Sequence, residues 1–555
     1  MMAPTDIVPV KPVHALLDEA VKHHPDWPAV DFLGKRYSYG EIGDLVLRAA
    51  RGFQLLGVRK GTRVGLCLPN TPYFVVCYYA ILRIGGVVVN FNPLYVEREL
   101  KHQVDDSGVT IMVALDLKQI YPKVAAILEE SCLERIVTCS MSAILPSVKS
   151  LLFSVLKRSE IADIPDDLRH VPFERLVSND GQVRPVQVDP ARDLAVLQYT
   201  GGTTGVPKGA MLTHANLTAN TEQLWRWIPP QMVGQGQEKM LGVLPLFHVF
   251  AMTVVMNLGV RMAAELILLP RFELKQVLKL IAKKRPTLFP GVPTIYTAIN
   301  QAMDAGGQDL SSIRLCISGG APLPVEVRGR FESLTGCTLV EGYGLSESSP
   351  VATCNPLKGE AKNASIGLPL AWTTIELRNP ADGALIEGVD ERGEICIRGP
   401  QVMAGYWQRP DDTAAVFIDG ALRTGDIGYR DADGYLFLVD RIKDVILCGG
   451  FNVYPRMIEE ALYQHPAVAE AVVIGIPDSY RGQAPKAFVR LREGAAATPD
   501  ELKAFLTTQV SRIEMPKAVE IRQHLPKTMI GKLSKKELVA EENAATEDHG
   551  LRSVI

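Results

Sequence analysis

The chain has 555 residues, 47% of them apolar and 22% charged, which is ordinary globular usage and excludes a disordered, collagen-like or coiled-coil chain. Fifty-nine Lys and Arg against 62 Asp and Glu leave a formal net charge of −3, so no bulk basicity points to nucleic acid. The length allows several domains, and nine cysteines without a CxxC pair read as reduced thiols of a cytoplasmic protein.

The first twenty residues carry Asp6, Lys11, Asp18 and Glu19 and no apolar run, against a secretory signal. Residues 63–69 read as a buried strand, 73–84 as a helix and 86–90 as another strand. Between residues 141 and 158 there is no acidic residue. Val148, Leu151, Leu152, Val155 and Leu156 recur at helical spacing, with Lys149, Ser150, Ser154, Lys157 and Arg158 on the other side. This is an amphipathic helix with a basic face. It is expected to pack its apolar side on the core, and the alternative is a helix lying in a lipid interface.

Strand-like runs continue at 194–199, 240–245, 265–269, 287–290, 315–318 and 338–341. The longest mostly apolar stretch, 249–260, is twelve residues, short of the roughly 20 that a membrane span needs. Near 365–440 short strands at 371–378, 393–398 and 434–439 alternate with Gly, Pro and Asp turns. After a charged break at 440–444 come a loop at 447–455, a helix at 457–464, strands at 469–476 and 486–491, a helix at 499–509 and a strand at 518–522.

The pattern predicts an α/β fold. A large N-terminal body of helix-covered, largely parallel sheets spans 1–439, with a small β-rich subdomain at about 365–439. A hinge at 440–443 leads to a small mobile α+β domain at 444–540. Glu541, Glu542, Glu547 and Asp548 mark an acidic tail at 541–555 that is expected to fray.

The chemistry begins with one loop. Thr200, Gly201, Gly202, Thr203, Thr204, Gly205 and Lys208 follow a predicted strand. Glycines let the backbone approach a phosphate chain, successive N–H groups form an anion nest, and the hydroxyls and Lys208 add donors. The spacing is not G-x-x-x-x-G-K-[ST], because Pro207 precedes Lys208 and Gly209 follows it. Gly342-Tyr-Gly344 lacks the third glycine of a dinucleotide fingerprint, and 344–348 lacks the closing glycine of a nucleophile elbow.

These residues resemble the phosphate loop of the adenylate-forming superfamily, which contains acyl-CoA synthetases, luciferases and peptide-synthetase adenylation domains. Further motifs of that superfamily follow in order: Glu341-Gly-Tyr-Gly-Leu-Ser-Glu347, Arg423-Thr-Gly-Asp426, Asp440-Arg441, Gly449-Gly450 and Pro526-Lys-Thr-Met-Ile-Gly-Lys532. The match runs from about residue 25 to residue 540. Residues 197–205 and Asn452-Val-Tyr-Pro455 are most similar to bacterial long-chain fatty acyl-CoA ligases, and 393–399 is similar to a box of the coumarate-CoA ligases.

The resemblance implies a two-step reaction. A carboxylate attacks the α-phosphate of ATP to give acyl-AMP and pyrophosphate, and the thiol of CoA then displaces AMP. It implies Glu347 as ligand of Mg²⁺, with Ser346 where the family usually has Thr. Tyr343 would stack on adenine against a wall of Gly320, Ala321 and Pro322, with Gly344 in the same loop. Asp426 would hold the ribose hydroxyls and Arg441 ribose or phosphate. Lys532 would be catalytic in adenylation and His248 a gate beside the carboxylate. Lys443 would be the pivot that exchanges Lys532 for the Gly449-Gly450 loop on the CoA side. The acyl pocket is expected along residues 247–252 and near Gly291 and 318–320.

The leading reading is an ATP-dependent long-chain fatty acid–CoA ligase with small-molecule substrates and no nucleic-acid partner. The alternatives are an aromatic-acid CoA ligase, an acyl-AMP ligase loading a carrier protein, and a low-turnover fatty-acid-binding protein of the membrane surface. A homodimer and peripheral membrane contact through 141–158 are left open.

Overall fold

The apolar runs of the N-terminal part form a sheet that is buried on both faces. The computed structural model describes residues 8, 10–200, 207–234, 236–304, 307–448, 451–478, 481–528 and 533–552. The strands His170–Pro172, Arg135–Cys139, Ile111–Leu115, Arg63–Cys67, Val87–Asn90 and Leu194–Thr200 lie side by side in that order, all parallel. Every residue of Val87–Asn90 and Ile111–Leu115 is buried, which is why they read as unbroken apolar runs with no alternation. Lys208–Thr213 closes the edge antiparallel to Leu194–Thr200. The helix Pro72–Arg83 is buried from Pro72 to Leu82, and the helix Tyr39–Leu55 starts on a capping box made by Ser38 and Glu41.

A second sheet runs Lys239–Gly242, Glu265–Leu268, Pro28–Phe32 and Lys35–Ser38. The strand expected at 287–290 is reduced to Leu288, which bridges Met240 on one side and Leu315 on the other. Pro286 and Pro290 flank it and cannot donate to a ladder.

The third sheet starts parallel, with Leu315–Ser318 and Thr338–Gly344. It continues antiparallel through Val351–Cys354, Ser365–Pro369, Leu436–Arg441, Ala421–Arg430, Gly393–Arg398 and Thr374–Arg378. The β-rich segment is thus an extension of a sheet in the body. Its buried Ile375, Leu377, Ile395 and Leu422 belong to the same apolar cluster, which runs from Val13 to Leu436.

Two further clusters, with members from Ile446 to Leu538, form the C-terminal core. There Val468–Asp478 pairs with Gly482–Leu491, flanked by Ala518–Ile521 and covered by the helices Pro455–Tyr463 and Pro499–Leu506. Residues 447–455 are not simply a loop. Ile446–Cys448 and Phe451–Val453 pair antiparallel. The helix Lys535–Arg552 runs into the acidic tail. Leu538 is fully buried, and Glu541 and Glu542 reach Arg522 and Lys486 at 2.5 and 2.6 Å.

One amphipathic helix faces the unexpected way. The helix Ser147–Leu156 forms as its periodicity predicts, yet its apolar stripe is exposed. Phe153, from outside that stripe, is the residue that packs on the core. Among the described residues, no helix is long and apolar enough to cross a membrane.

Candidate active site

The third sheet assembles a cluster from three separate motifs. Thr338–Gly344 delivers Tyr343, whose hydroxyl donates to Asp426 Oδ2 at 2.6 Å. Asp426 on Ala421–Arg430 is the ladder partner of Arg441 on Leu436–Arg441, so strand register alone brings the two together. Arg441 Nε lies 3.1 Å from Asp426 Oδ1. That oxygen is buried and faces Arg441 without an aligned hydrogen bond, so it keeps spare acceptor capacity. Burial, reinforced by Asp426, pushes the Tyr343 phenol well up, so it stays a neutral donor. Asp426 raises the pKa of Arg441, fixing its positive charge.

With Asp426 on the ribose, as the resemblance implies, Asp426→Asn is expected to raise the KM for ATP by about tenfold or more, with a smaller change in kcat, because a hydrogen bond to a charged acceptor is worth roughly 1.5–3 kcal/mol. Steady-state kinetics with ATP varied checks this. An unchanged KM removes Asp426 from the nucleotide site.

Beyond Tyr343 the chain doubles back. A Cβ at Gly344 would lie 1.8 Å from the Pro350 carbonyl oxygen, so only glycine admits the fold. The short turn Ser346–Ser348 then carries Glu347 inward, with Ser346 half-buried beside it. Glu347 Oε1 accepts from the Tyr406 hydroxyl at 2.8 Å, and its carbonyl accepts from Met403 N at 2.8 Å. Burial raises the Glu347 carboxyl above the usual range, and the Tyr406 hydrogen bond opposes that. Lys208 Nζ sits 5.5 Å from the Tyr406 ring centroid and pairs with Asp412 at 2.5 Å. Thr200, the ladder partner of Lys208, is half-buried at the end of its strand.

The facing wall is Ser318 to Pro322. Ser318 Oγ is buried without a hydrogen-bond partner, and Gly320 adopts a left-handed φ of +81°. Ala321 is half-buried and Pro322 exposed. A Cβ at Gly319 would meet the Phe250 ring at 3.1 Å and the Gly342 carbonyl oxygen at 3.6 Å, so this wall, Phe250 and the Tyr343 strand are in close contact. His248 is half-buried two residues before Phe250, at the start of a π-helix, Ala251–Asn257, and its ring lies 4.7 Å from that of Phe247. π-turns occur frequently at functional sites.

Below the cluster is Glu341, buried, with Oε2 accepting from Leu323 N at 3.0 Å. Burial pushes its carboxyl up to about 7, against the pull of Arg456. A carboxyl raised in the folded state stabilises most below its ordinary pKa, and that contribution is lost as pH rises through the folded one. The melting temperature is expected to fall between about pH 4.5 and pH 7, and Glu341→Gln to flatten that slope; calorimetry over the window checks it.

A cavity of about 40 Å³ lies behind this wall. It is lined by apolar side chains, among them Trp227, Val254, Leu258, Leu288, Ile317 and Val340. Val254 and Leu258 line it, and residues 247–252 do not. Ile317 and Val340 belong to the strands whose ends carry Ser318 and Tyr343.

The AMP-binding enzyme family matches residues 17–407, and its C-terminal domain matches 457–532. The chain belongs to the AMP-binding enzymes. It is 43% identical to the long-chain-fatty-acid–CoA ligase of Bacillus subtilis (strain 168), over 98% of this chain and 96% of the relative. It is 36% identical to the long-chain-fatty-acid–CoA ligase of Escherichia coli O157:H7, over 96% of both. The crystal structure of ATP-bound MatB from Rhodopseudomonas palustris superposes with a TM-score of 0.81 at 28% identity, covering 95% of this chain and 98% of that one.

Within this AMP-binding enzyme several of the expected site residues fall outside the described ones: Gly201, Gly202, Thr203, Thr204, Gly205, Gly449, Gly450 and Lys532. Lys443 lies exposed in the short turn Ile442–Asp444. Next to it, Asp440 Oδ2 accepts from Arg456 N at 2.8 Å, a tie between the body's last strand and the first C-terminal helix.

Two residues around the cluster escape sequence reasoning. Tyr406 holds Glu347 but stands in an unremarkable Gly-Tyr-Trp run. Gln198 donates from Nε2 to the Phe247 carbonyl at 3.0 Å and so supports the segment bearing His248. A lone amide inside an apolar parallel strand was the available signal, since buried polar side chains are seldom there without a partner.

Proposed function

We propose that this AMP-binding enzyme is an ATP-dependent ligase that converts a long-chain fatty acid to acyl-AMP and then to acyl-CoA, releasing pyrophosphate and AMP. The observation that carries the aliphatic substrate is the apolar cavity, which shares its strands with the polar cluster. The near-full-length identity to relatives of that name supports it. At about 40 Å³ the void is smaller than a long acyl chain, so this reading requires its apolar lining to rearrange around the substrate.

In this reading the tail lies against Val254, Leu258 and Ile317, and the carboxylate emerges at the Ser318–Pro322 wall beside His248. Tyr343, Asp426 and Arg441 bind the nucleoside, while residues 200–205 and Lys208 take the phosphates. The carboxylate oxygen attacks the α-phosphorus as pyrophosphate leaves, and Lys532 neutralises both anions. In the second step the CoA thiol attacks the acyl carbonyl and AMP departs. Glu347 fits Mg²⁺: it is one buried carboxylate, and among the described residues no group of three metal-binding side chains exists, which suits an ion held mainly by phosphate oxygens and water. When bound, the ion supplies positive charge to the phosphates.

The separate apolar clusters of body and C-terminal unit support a rotation about residues 440–443 between the two steps. Lys443→Pro is expected to spare acyl-AMP formation and slow thioester formation about tenfold, read by single-turnover assays of each half-reaction. Equal loss in both steps argues against rotation.

The function is tested with purified enzyme, Mg-ATP, CoA and a panel of C4 to C18 fatty acids with cinnamate, coumarate and benzoate, read by mass spectrometry. Dominant C12–C18 acyl-CoA is the expected result. Dominant aromatic thioesters overturn the substrate, and accumulating acyl-AMP without thioester overturns free CoA as acceptor.

A further inference from the structure

The helix Ser147–Leu156 presents five large apolar side chains to solvent: Val148 is 72% exposed, Leu151 68%, Leu152 51%, Val155 68% and Leu156 71%. Single exposed aliphatics are normal, but five on one helical face form a contiguous patch, which marks an interaction site. The helix is not a loosely placed core element. Ile144 and Leu145 are buried just before it, Phe153 packs on the core, and Lys149 Nζ donates to the Leu33 carbonyl at 2.6 Å. These anchors use residues outside the stripe, so the stripe is held outward by construction.

We infer that this helix seats the protein on the surface of an anionic lipid bilayer. An amphipathic helix with a basic polar face lies in the plane of the interface, apolar side chains inserted and cations at headgroup level. The charge fits that occupant. No acidic residue occurs from 141 to 158, while Lys149, Lys157 and Arg158 flank the stripe. The first carboxylate after it, Glu160, pairs with Lys157; Arg158 meets lipid phosphates, and so does Lys149 with the ammonium donors that its bond to the Leu33 carbonyl leaves over. A two-fold contact between copies of this chain fits worse, because a self-complementary interface would bring these like charges together. The inference rests on this surface and not on the substrate assignment.

The test is sedimentation of the full chain with vesicles of phosphatidylcholine alone and of phosphatidylcholine mixed with an equal part of phosphatidylglycerol. The expected result is binding to the mixed vesicles, about tenfold weaker on phosphatidylcholine alone. Leu151→Ser/Val155→Ser/Leu156→Ser, all at exposed positions and with an unchanged melting curve, is expected to lose about tenfold or more of the binding. Lys149→Gln/Arg158→Gln is expected to lose the preference for the anionic lipid. Absence of wild-type binding, or binding by the triple variant equal to wild type, overturns the inference. So does a concentration-dependent dimer that the triple variant abolishes in a protein that ignores vesicles. Binding is read without turnover, so failure of the ligase reading and failure of this one are separable.

Discussion

Lys532→Ala is expected to lose about 10²–10³ in the rate of acyl-AMP formation while ATP binds as before, the usual cost of removing one donor aimed at developing charge. The reaction brings a carboxylate onto an anionic phosphate. An ammonium on a flexible stem can touch both, and its effect grows as charge gathers in the transition state. In the proposed reading ground-state nucleotide binding falls to Tyr343, Asp426 and Arg441, so kcat and not the ATP affinity should fall. The neighbouring lysines are built-in controls. Lys527 Nζ is committed to Glu470 at 2.6 Å and Lys535 Nζ to Glu459 at 3.1 Å, both inside the C-terminal unit. Lys527→Ala and Lys535→Ala should therefore keep adenylation. Pyrophosphate release reads the rate and nucleotide fluorescence the binding. Wild-type adenylation by Lys532→Ala takes the residue out of the reaction.

The parallel strands were legible because burial on both faces writes an apolar run, as in Ile111–Leu115. Pattern says less about what lies opposite. The stripe of Ser147–Leu156 has the right period, but periodicity reports a face and not its neighbour, and here the neighbour is solvent. The hairpin Ile446–Cys448 with Phe451–Val453 is too short to show a period of two.

Motifs located most members of the cluster, but not how they meet. That Asp426 faces both Tyr343 and Arg441 follows from strand register, which no single motif encodes. Tyr406 was illegible because its importance is a contact with Glu347, supplied by a strap whose Met403 and Ala404 amides donate to Glu347 and Met211.

Glu347→Gln is expected to lower acyl-AMP formation by about 10²–10³ and to raise the Mg²⁺ concentration needed for half-maximal rate. The swap keeps the shape and the acceptor facing Tyr406 but removes the charge. Loss of charge is separated from loss of fold by the direction in which the melting temperature moves. Burial raises the Glu347 carboxyl, so its ionised form weakens the fold as pH rises through that raised value. A neutral amide at neutral pH should leave the melting temperature unchanged or higher, which calorimetry measures alongside the rate. Tyr406→Phe provides the graded comparison. It removes one hydrogen bond to a carboxylate that stays in place, worth about 1.5–3 kcal/mol at most, and so should cost no more than about a hundredfold in rate. If Glu347→Gln adenylates at the wild-type rate with an unshifted Mg²⁺ dependence, Glu347 is a structural carboxylate and the cation is held elsewhere. If both variants fall in the expected order, the turn Ser346–Ser348 and its Tyr406 strut act as one device that fixes a charge at the phosphates.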